Sequence, residues 1–261
     1  MKALLLLALL ATPAFGQTLN IDFGAPERGP RADFAAAGKV GVWNSVEGES
    51  TSWTEPWIVY DLVDVEGQAT AATLHQFGGT GLILAEGAAP GVDVGALMDD
   101  ALVTYTEALE TCLWIDGLAP GRYEVITYAW MPEHPDVRSK VRLDYVNETV
   151  EVGGAFGVTF EEGVTHAILE VEVTDGFLGI HSGNVTGADL AVGAALNGVQ
   201  IRPVSDGDDD DAADDDDDDD DDDVADDDDD DDAGTAAAGC SQVAGGGGWA
   251  LLLLPLLVRR R

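Results

Sequence analysis

The run Thr111-Cys112-Leu113-Trp114-Ile115, then Gly117-Leu118-Ala119-Pro120-Gly121, then Arg122-Tyr123-Glu124-Val125, decides the fold class. Two apolar, β-branched and aromatic segments flank five residues that hold two glycines and a proline. This reads as strand, turn, strand, with the five residues as a hairpin-like connection. The same grammar repeats outward. Ala167, Leu169, Val171 and Val173 alternate with His166, Ile168, Glu170 and Glu172, and Val141, Leu143 and Tyr145 alternate with Arg142 and Asp144. A period of two puts each set on one face of a strand. Strands are expected over 19–23, 40–46, 57–63, 69–76, 81–85, 101–106, 108–115, 122–130, 138–146, 166–174, 176–182 and 196–202. Long helical periodicity is missing, and only Val92 to Asp100 reads as a short helical turn. The expected class is all-β: a jelly-roll-type β-sandwich over 17–204, followed by a disordered acidic stalk and a short hydrophobic tail.

The chain has 261 residues, enough for one medium domain with appendages, and is 46% hydrophobic, so a core is within reach despite a net charge of -38. Much of that charge is local, because Asp206 to Asp232 contains 22 Asp and no base. Residues 17–203 still carry 28 acidic against 8 basic side chains. Phosphate recognition needs a basic footprint, so nucleic acid and anionic lipid are excluded as partners of the domain. A neutral or cationic ligand, or a divalent cation, fits. The Asp-rich linker, 205–238, repels itself and buries nothing, which predicts a solvated stalk. Calcium is the cofactor its carboxylates point to, but the tract lacks the spaced Asp and turning Gly of a calcium loop, so binding there would be weak and diffuse. No metal-ligand set can be named from the sequence.

The two ends read as addresses. Met1-Lys2, the apolar run Ala3 to Ala11 and the small residues up to Gly16 predict a signal peptide over 1–16. At the other end, 239–261 contains Cys240, four glycines at 245–248, the apolar run Trp249 to Val258, and Arg259-Arg260-Arg261. Ten apolar residues make a helix of about 15 Å, half a bilayer core. This tail resembles the myxobacterial-type C-terminal sorting signal, MYXO-CTERM. The resemblance covers 239–261 alone. It implies that Cys240 is the processing and anchor point, that a C-terminal sorting protease removes the tail, and that the tail engages the membrane before processing. The exported protein would then be held at the cell surface or outer envelope. A plain single-pass anchor is the alternative.

Three segments of the domain carry a second resemblance. Leu19-Asn20-Ile21-Asp22-Phe23-Gly24, Leu118 to Val125 leading into Tyr128-Ala129-Trp130, and Leu196-Asn197-Gly198-Val199-Gln200-Ile201 resemble the opening strand, central hairpin and closing strand of malectin-like and galactose-binding-like β-sandwiches. The resemblance implies the fold, and a pairing of first strand with last. Such folds host carbohydrate binding, protein contacts and purely structural roles.

No catalytic motif stands out. His75, His134, His166 and His181 lack metal-ligand spacing, and no nucleophile elbow is present. Asp99-Asp100 would end a turn or help hold a cation. Cys112, Trp57 and Trp114 read as core residues. The binding case rests on Trp43, Trp53 and Trp130 beside loops, with His134 and Asp136 in the loop after Trp130. Sugars present C–H faces that stack on aromatic rings, and hydroxyls that need acids, amides or His. The expected function is a non-enzymatic carbohydrate-binding or adhesion module at the cell surface, with a glycan or extracellular matrix ligand. The alternatives are a structural envelope protein with no small ligand and an extracellular hydrolase.

Overall fold

The computed structural model describes residues 16–48, 52, 54–79, 82–85, 87, 89, 91–104, 110–132, 134, 136–185 and 193–205. The chain divides into two units, Met1–Asp211 and Ala212–Arg261, and every described residue belongs to the first. Residues 1–15 of the expected signal peptide, Trp53, the Asp tract from Asp206, and Cys240 with its tail lie outside the described residues.

Strands are numbered in chain order. One sheet has five strands in the order β11 (His166–Val173), β8 (Gly121–Tyr128), β14 (Gly198–Pro203), β1 (Leu19–Asp22) and β2 (Trp43–Ser45). A second has six: β10 (Thr149–Val152), β9 (Ser139–Leu143), β12 (Phe177–Asn184), β7 (Glu110–Asp116), β4 (Thr73–Phe77) and β3 (Trp57–Val59). A small third sheet joins β13 (Ala194–Leu196), β6 (Asp100–Thr104) and β5 (Leu82–Leu84). The pairing of β1 with β2 is parallel; the other ladders are antiparallel. The first and last strands pair, with Leu19 opposite Ile201. The protein is a β-sandwich.

The alternation seen in the sequence builds the core. From the five-stranded sheet come Leu19, Ile21, Val125, Leu169, Val171, Val199 and Ile201; from the six-stranded sheet come Leu74, Leu113, Ile115, Val141, Leu143, Leu178 and Ile180. Each such side chain removed from water contributes roughly 1.5–3 kcal/mol before entropy is charged. The facing surfaces therefore hold the layers together chiefly by apolar burial.

Four sequence expectations are corrected. Gly117–Gly121 does not close a hairpin, because β7 and β8 lie in different sheets. It arches across the sandwich end, with Leu118 and Ala119 buried and the Tyr123 hydroxyl donating to the Ala119 carbonyl at 2.8 Å. The same sheet switching recurs between β8 and β9 and between β11 and β12, as expected of jelly-roll-like wiring rather than a meander. The expected strand 196–202 breaks at Asn197, where the chain passes from the small sheet to the five-stranded one. Buried Asn197 accepts from the Trp130 backbone N–H at 2.8 Å and donates to the Asp100 carbonyl at 2.8 Å. Tyr145 leaves the β9 register; it is 81% exposed with φ 65°. Helix α1 (Val92–Met98) is longer than one turn.

The outer face of the five-stranded sheet is also covered. Ile126 and Tyr128 point outward there and pack beneath Trp43, Leu97, Met98, Trp130, Phe34 and Phe160. Its counterpart on the six-stranded sheet is open around Trp114, which is 36% exposed.

Candidate functional site

Leu113 and Ile115 face the core, so Cys112, Trp114 and Asp116 face outward on β7. Trp114 has His75 as its partner on β4 and Gly179 as its partner on β12. Phe77 and Phe177 brace its ring, with centroids at 4.4 Å and 5.4 Å. Tilted and edge-on contacts of this kind hold an aromatic group in place by more than area burial alone. His75 Nε2 lies 3.1 Å from Asp116 Oδ2, a polar pair on the same face. An exposed indole is thus held rigid, with hydrogen-bonding groups alongside.

The polar half of the face centres on His181. Its ring is flanked along β12 by Gly179 and Gly183, and these positions let two carboxylates lie flat across the strand. A Cβ at Gly179 would collide with the Asp144 carboxylate, and one at Gly183 would stand 2.6 Å from Glu110 Cγ. His181 Nε2 lies 2.9 Å from Asp144 Oδ1, and Nδ1 lies 3.0 Å from Arg142 Nη2. An ionised Asp offers only acceptors, so Nε2–H donates to Asp144, while Nδ1 also stands 3.4 Å from Glu110 Oε2. Arg142 donates through Nε and Nη2 to Glu110 Oε2 at 3.1 and 2.6 Å. His181 and Arg142 hold the Glu110 carboxyl down at about 2, so it remains a carboxylate.

Cys112 Sγ sits 3.8 Å from His181 Nε2. This does not form an activated nucleophile. The nearby imidazole nitrogen already donates to Asp144, and burial, followed by the Asp144 charge, pushes the thiol up to about 12.

Of the residues expected from sequence to bind ligand, the described ones lie elsewhere. Trp43 is 8% exposed and Trp130 3% exposed, both in the layer that roofs the five-stranded sheet. Their indole N–H groups are used internally, Trp43 to the Phe34 carbonyl at 3.1 Å and Trp130 to the Gly154 carbonyl at 3.0 Å. The fold brings these two together, but as core, which corrects the expected exposed platform. The reason is the outward pair Ile126 and Tyr128, which needs an apolar cover. His134 and Asp136 are exposed in the turn after Trp130. Trp53 lies outside the described residues. Trp114, expected in the core, is the exposed one among the described tryptophans, and Trp57 is half-buried against the main core. A usable signal was present: Trp114 shares its strand parity with Asp116.

Fold and face define a β-sandwich domain with one open sheet face that combines a braced indole with a charged network. No protein-family model matches the chain, and no curated protein matches it. Among solved structures, it is similar to the crystal structure of plant peptide RALF23 in complex with FER and LLG2, with a TM-score of 0.38 and 13% identity over 73% of this chain and 40% of that one. It is also similar to Bacteroides uniformis beta-glucuronidase, with a TM-score of 0.34 and 15% identity over 56% of this chain and 15% of that one. A third is Bacteroides uniformis beta-glucuronidase 2 covalently bound to cyclophellitol-6-carboxylate aziridine, with a TM-score of 0.36 and 14% identity over 58% of this chain and 18% of that one. The chain spans less than half the length of each of these.

Proposed function

We propose that this chain is an exported, surface-held, non-enzymatic β-sandwich module that binds carbohydrate on the outer face of its six-stranded sheet. The observation that carries the reading is Trp114, exposed on a sheet face and fixed by Phe77 and Phe177. A sugar ring stacks its C–H face on such an indole, and its hydroxyls find His75 and Asp116 on one side and Asp144 on the other. Binding rather than chemistry is supported by Cys112, whose thiol stays protonated, and by His181, whose nitrogens are engaged by Asp144 and Arg142. Surface attachment is supported by the expected signal peptide and by the resemblance of the tail around Cys240 to a sorting signal, with the Asp tract in the sequence between domain and tail.

A glycan array probed with the native protein and with Trp114→Ala tests the reading. The native protein is expected to retain a restricted set of glycans and the variant to lose them. No retained glycan, or an identical set with the variant, would contradict it, and the first result would leave a structural envelope role.

A further inference from the structure

Two carboxylates sit where the fold gives them too few partners. Asp22 ends β1 and is 0% exposed, and neither of its oxygens has a well-formed hydrogen bond, although the Ser45 hydroxyl beside it eases part of its charge. Asp100 opens β6, is buried, and has Oδ1 without a donor. The contrast with its sequence neighbour is instructive. Asp99 closes its loop by accepting from the Gly87 and Ala89 N–H groups at 2.7 and 2.6 Å, whereas Asp100 beside it has no such pair. A buried carboxylate lacking donors is costly unless a charge of opposite sign compensates it.

The groups packed around the two acids supply further oxygen donors. Ser45 on β2 is the Cα partner of Asp22. A Cβ on Gly29 would collide with the Ser45 hydroxyl and stand 3.5 Å from Asp22 Oδ2, and a Cβ on Gly24 would collide with the Asp100 carboxylate. Gly24 therefore brings bare backbone against Asp100, and Gly29 brings it against Ser45 and Asp22. Arg28 offsets part of the Asp100 charge, and the Ser45 hydroxyl offsets part of the burial cost at Asp22. Neither is enough: burial, and at Asp22 the nearby Asp100 charge, drives Asp22 well up, while burial first and Asp99 further down the scale drive Asp100 to about 7.

We propose that Asp22 and Asp100, with the Ser45 hydroxyl, form a buried site for one divalent cation, calcium by the chemistry of its donors. Two carboxylates and one divalent ion sum to zero charge, which removes the cost of burying either acid. Calcium accepts irregular sets of carboxylate, hydroxyl, carbonyl and water oxygens, whereas magnesium demands an octahedron. Among the described residues no group of three His, Cys, Asp or Glu side chains could hold a metal, so backbone carbonyls and water complete the shell. This site is separate from the stalk, whose Asp tract would bind calcium diffusely.

Thermal melts of the full-length protein at pH 7.5, stripped with chelator and returned to calcium or magnesium, test the proposal. Calcium a hundredfold above its Kd is expected to raise the native Tm by roughly 5–10 °C, with magnesium giving less. Asp22→Asn and Asp100→Asn keep the stalk intact and are expected to lose the rise. No calcium shift in the native protein overturns the site, as does a shift of equal size in both variants, the signature of binding to the stalk alone. Should the Asn variants fail to fold, Ser45→Ala keeps both carboxylates and is expected to weaken the calcium site about tenfold in calorimetry. Unchanged affinity there overturns the proposal.

Discussion

The indole of Trp114 leans on the phenyl ring of Phe77, with centroids 4.4 Å apart and planes tilted by 51°. Both residues stand on the outer face of the six-stranded sheet, on adjacent strands. Truncating the exposed partner should remove function while sparing the fold. Trp114→Ala is expected to weaken glycan binding by about 30-fold or more and to move Tm by only a few degrees. A variant that unfolds would show Trp114 to be a core residue instead.

Trp130 supplies the opposite case. Its ring is buried against Phe156, with centroids at 5.4 Å, and its N–H is used by Gly154. Trp130→Ala should cost about 3–5 kcal/mol, read by urea denaturation. If instead the variant binds glycan poorly at unchanged stability, the roof over the five-stranded sheet is part of the ligand site.

The two glycines beside His181 are predicted to be intolerant of a methyl group. Gly179→Ala drives a Cβ into the Asp144 carboxylate, and Gly183→Ala drives one toward Glu110. Each should destabilise by about 1–3 kcal/mol. A neutral result in both would mean that the carboxylates move aside freely and that the network does not fix the face.

Two buried groups give pH dependences of opposite sign. Burial beneath Tyr128 and Phe160 pushes His166 down to about 4. The unfolded chain takes up this proton near 6.5, so the stability it contributes is complete above about 6.5 and is lost as pH falls toward 4. Asp100 is raised to about 7. Without calcium, its contribution is present below about 4 and is lost as pH rises toward 7. The two windows overlap, so in denaturation from about pH 4 to 6.5 the opposed slopes offset each other: without calcium, His166→Phe should uncover a stability that falls as pH rises, and calcium added to the native protein should uncover one that rises with pH. Slopes unchanged by either treatment would contradict both assignments.

Much of the fold was legible because the sheets have different environments on their two faces. The 166–173 alternation reads directly onto β11, where Leu169 and Val171 enter the core and Glu170 and Glu172 meet water. The strand Thr149–Val152 escaped notice although Val150 and Val152 alternate with Thr149 and Glu151; four residues are too few to stand out beside a turn. The Gly117–Gly121 turn was visible, but which sheet each flanking strand joins is a long-range choice that no local pattern encodes. The site was less legible for the same reason. Trp next to a loop suggests exposure, yet Trp43 and Trp130 are drawn inward by Ile126 and Tyr128 of a sheet that needs covering. Asp22 and Asp100 meet only through the tertiary fold.

Carbohydrate binding at Trp114 is read by following the Trp indole N–H signals by NMR while a glycan selected on the array is added. The Trp114 signal should shift and saturate with the ligand while the Trp43 and Trp130 signals stay in place. A shift confined to Trp43 or Trp130, with Trp114 unmoved, would contradict it.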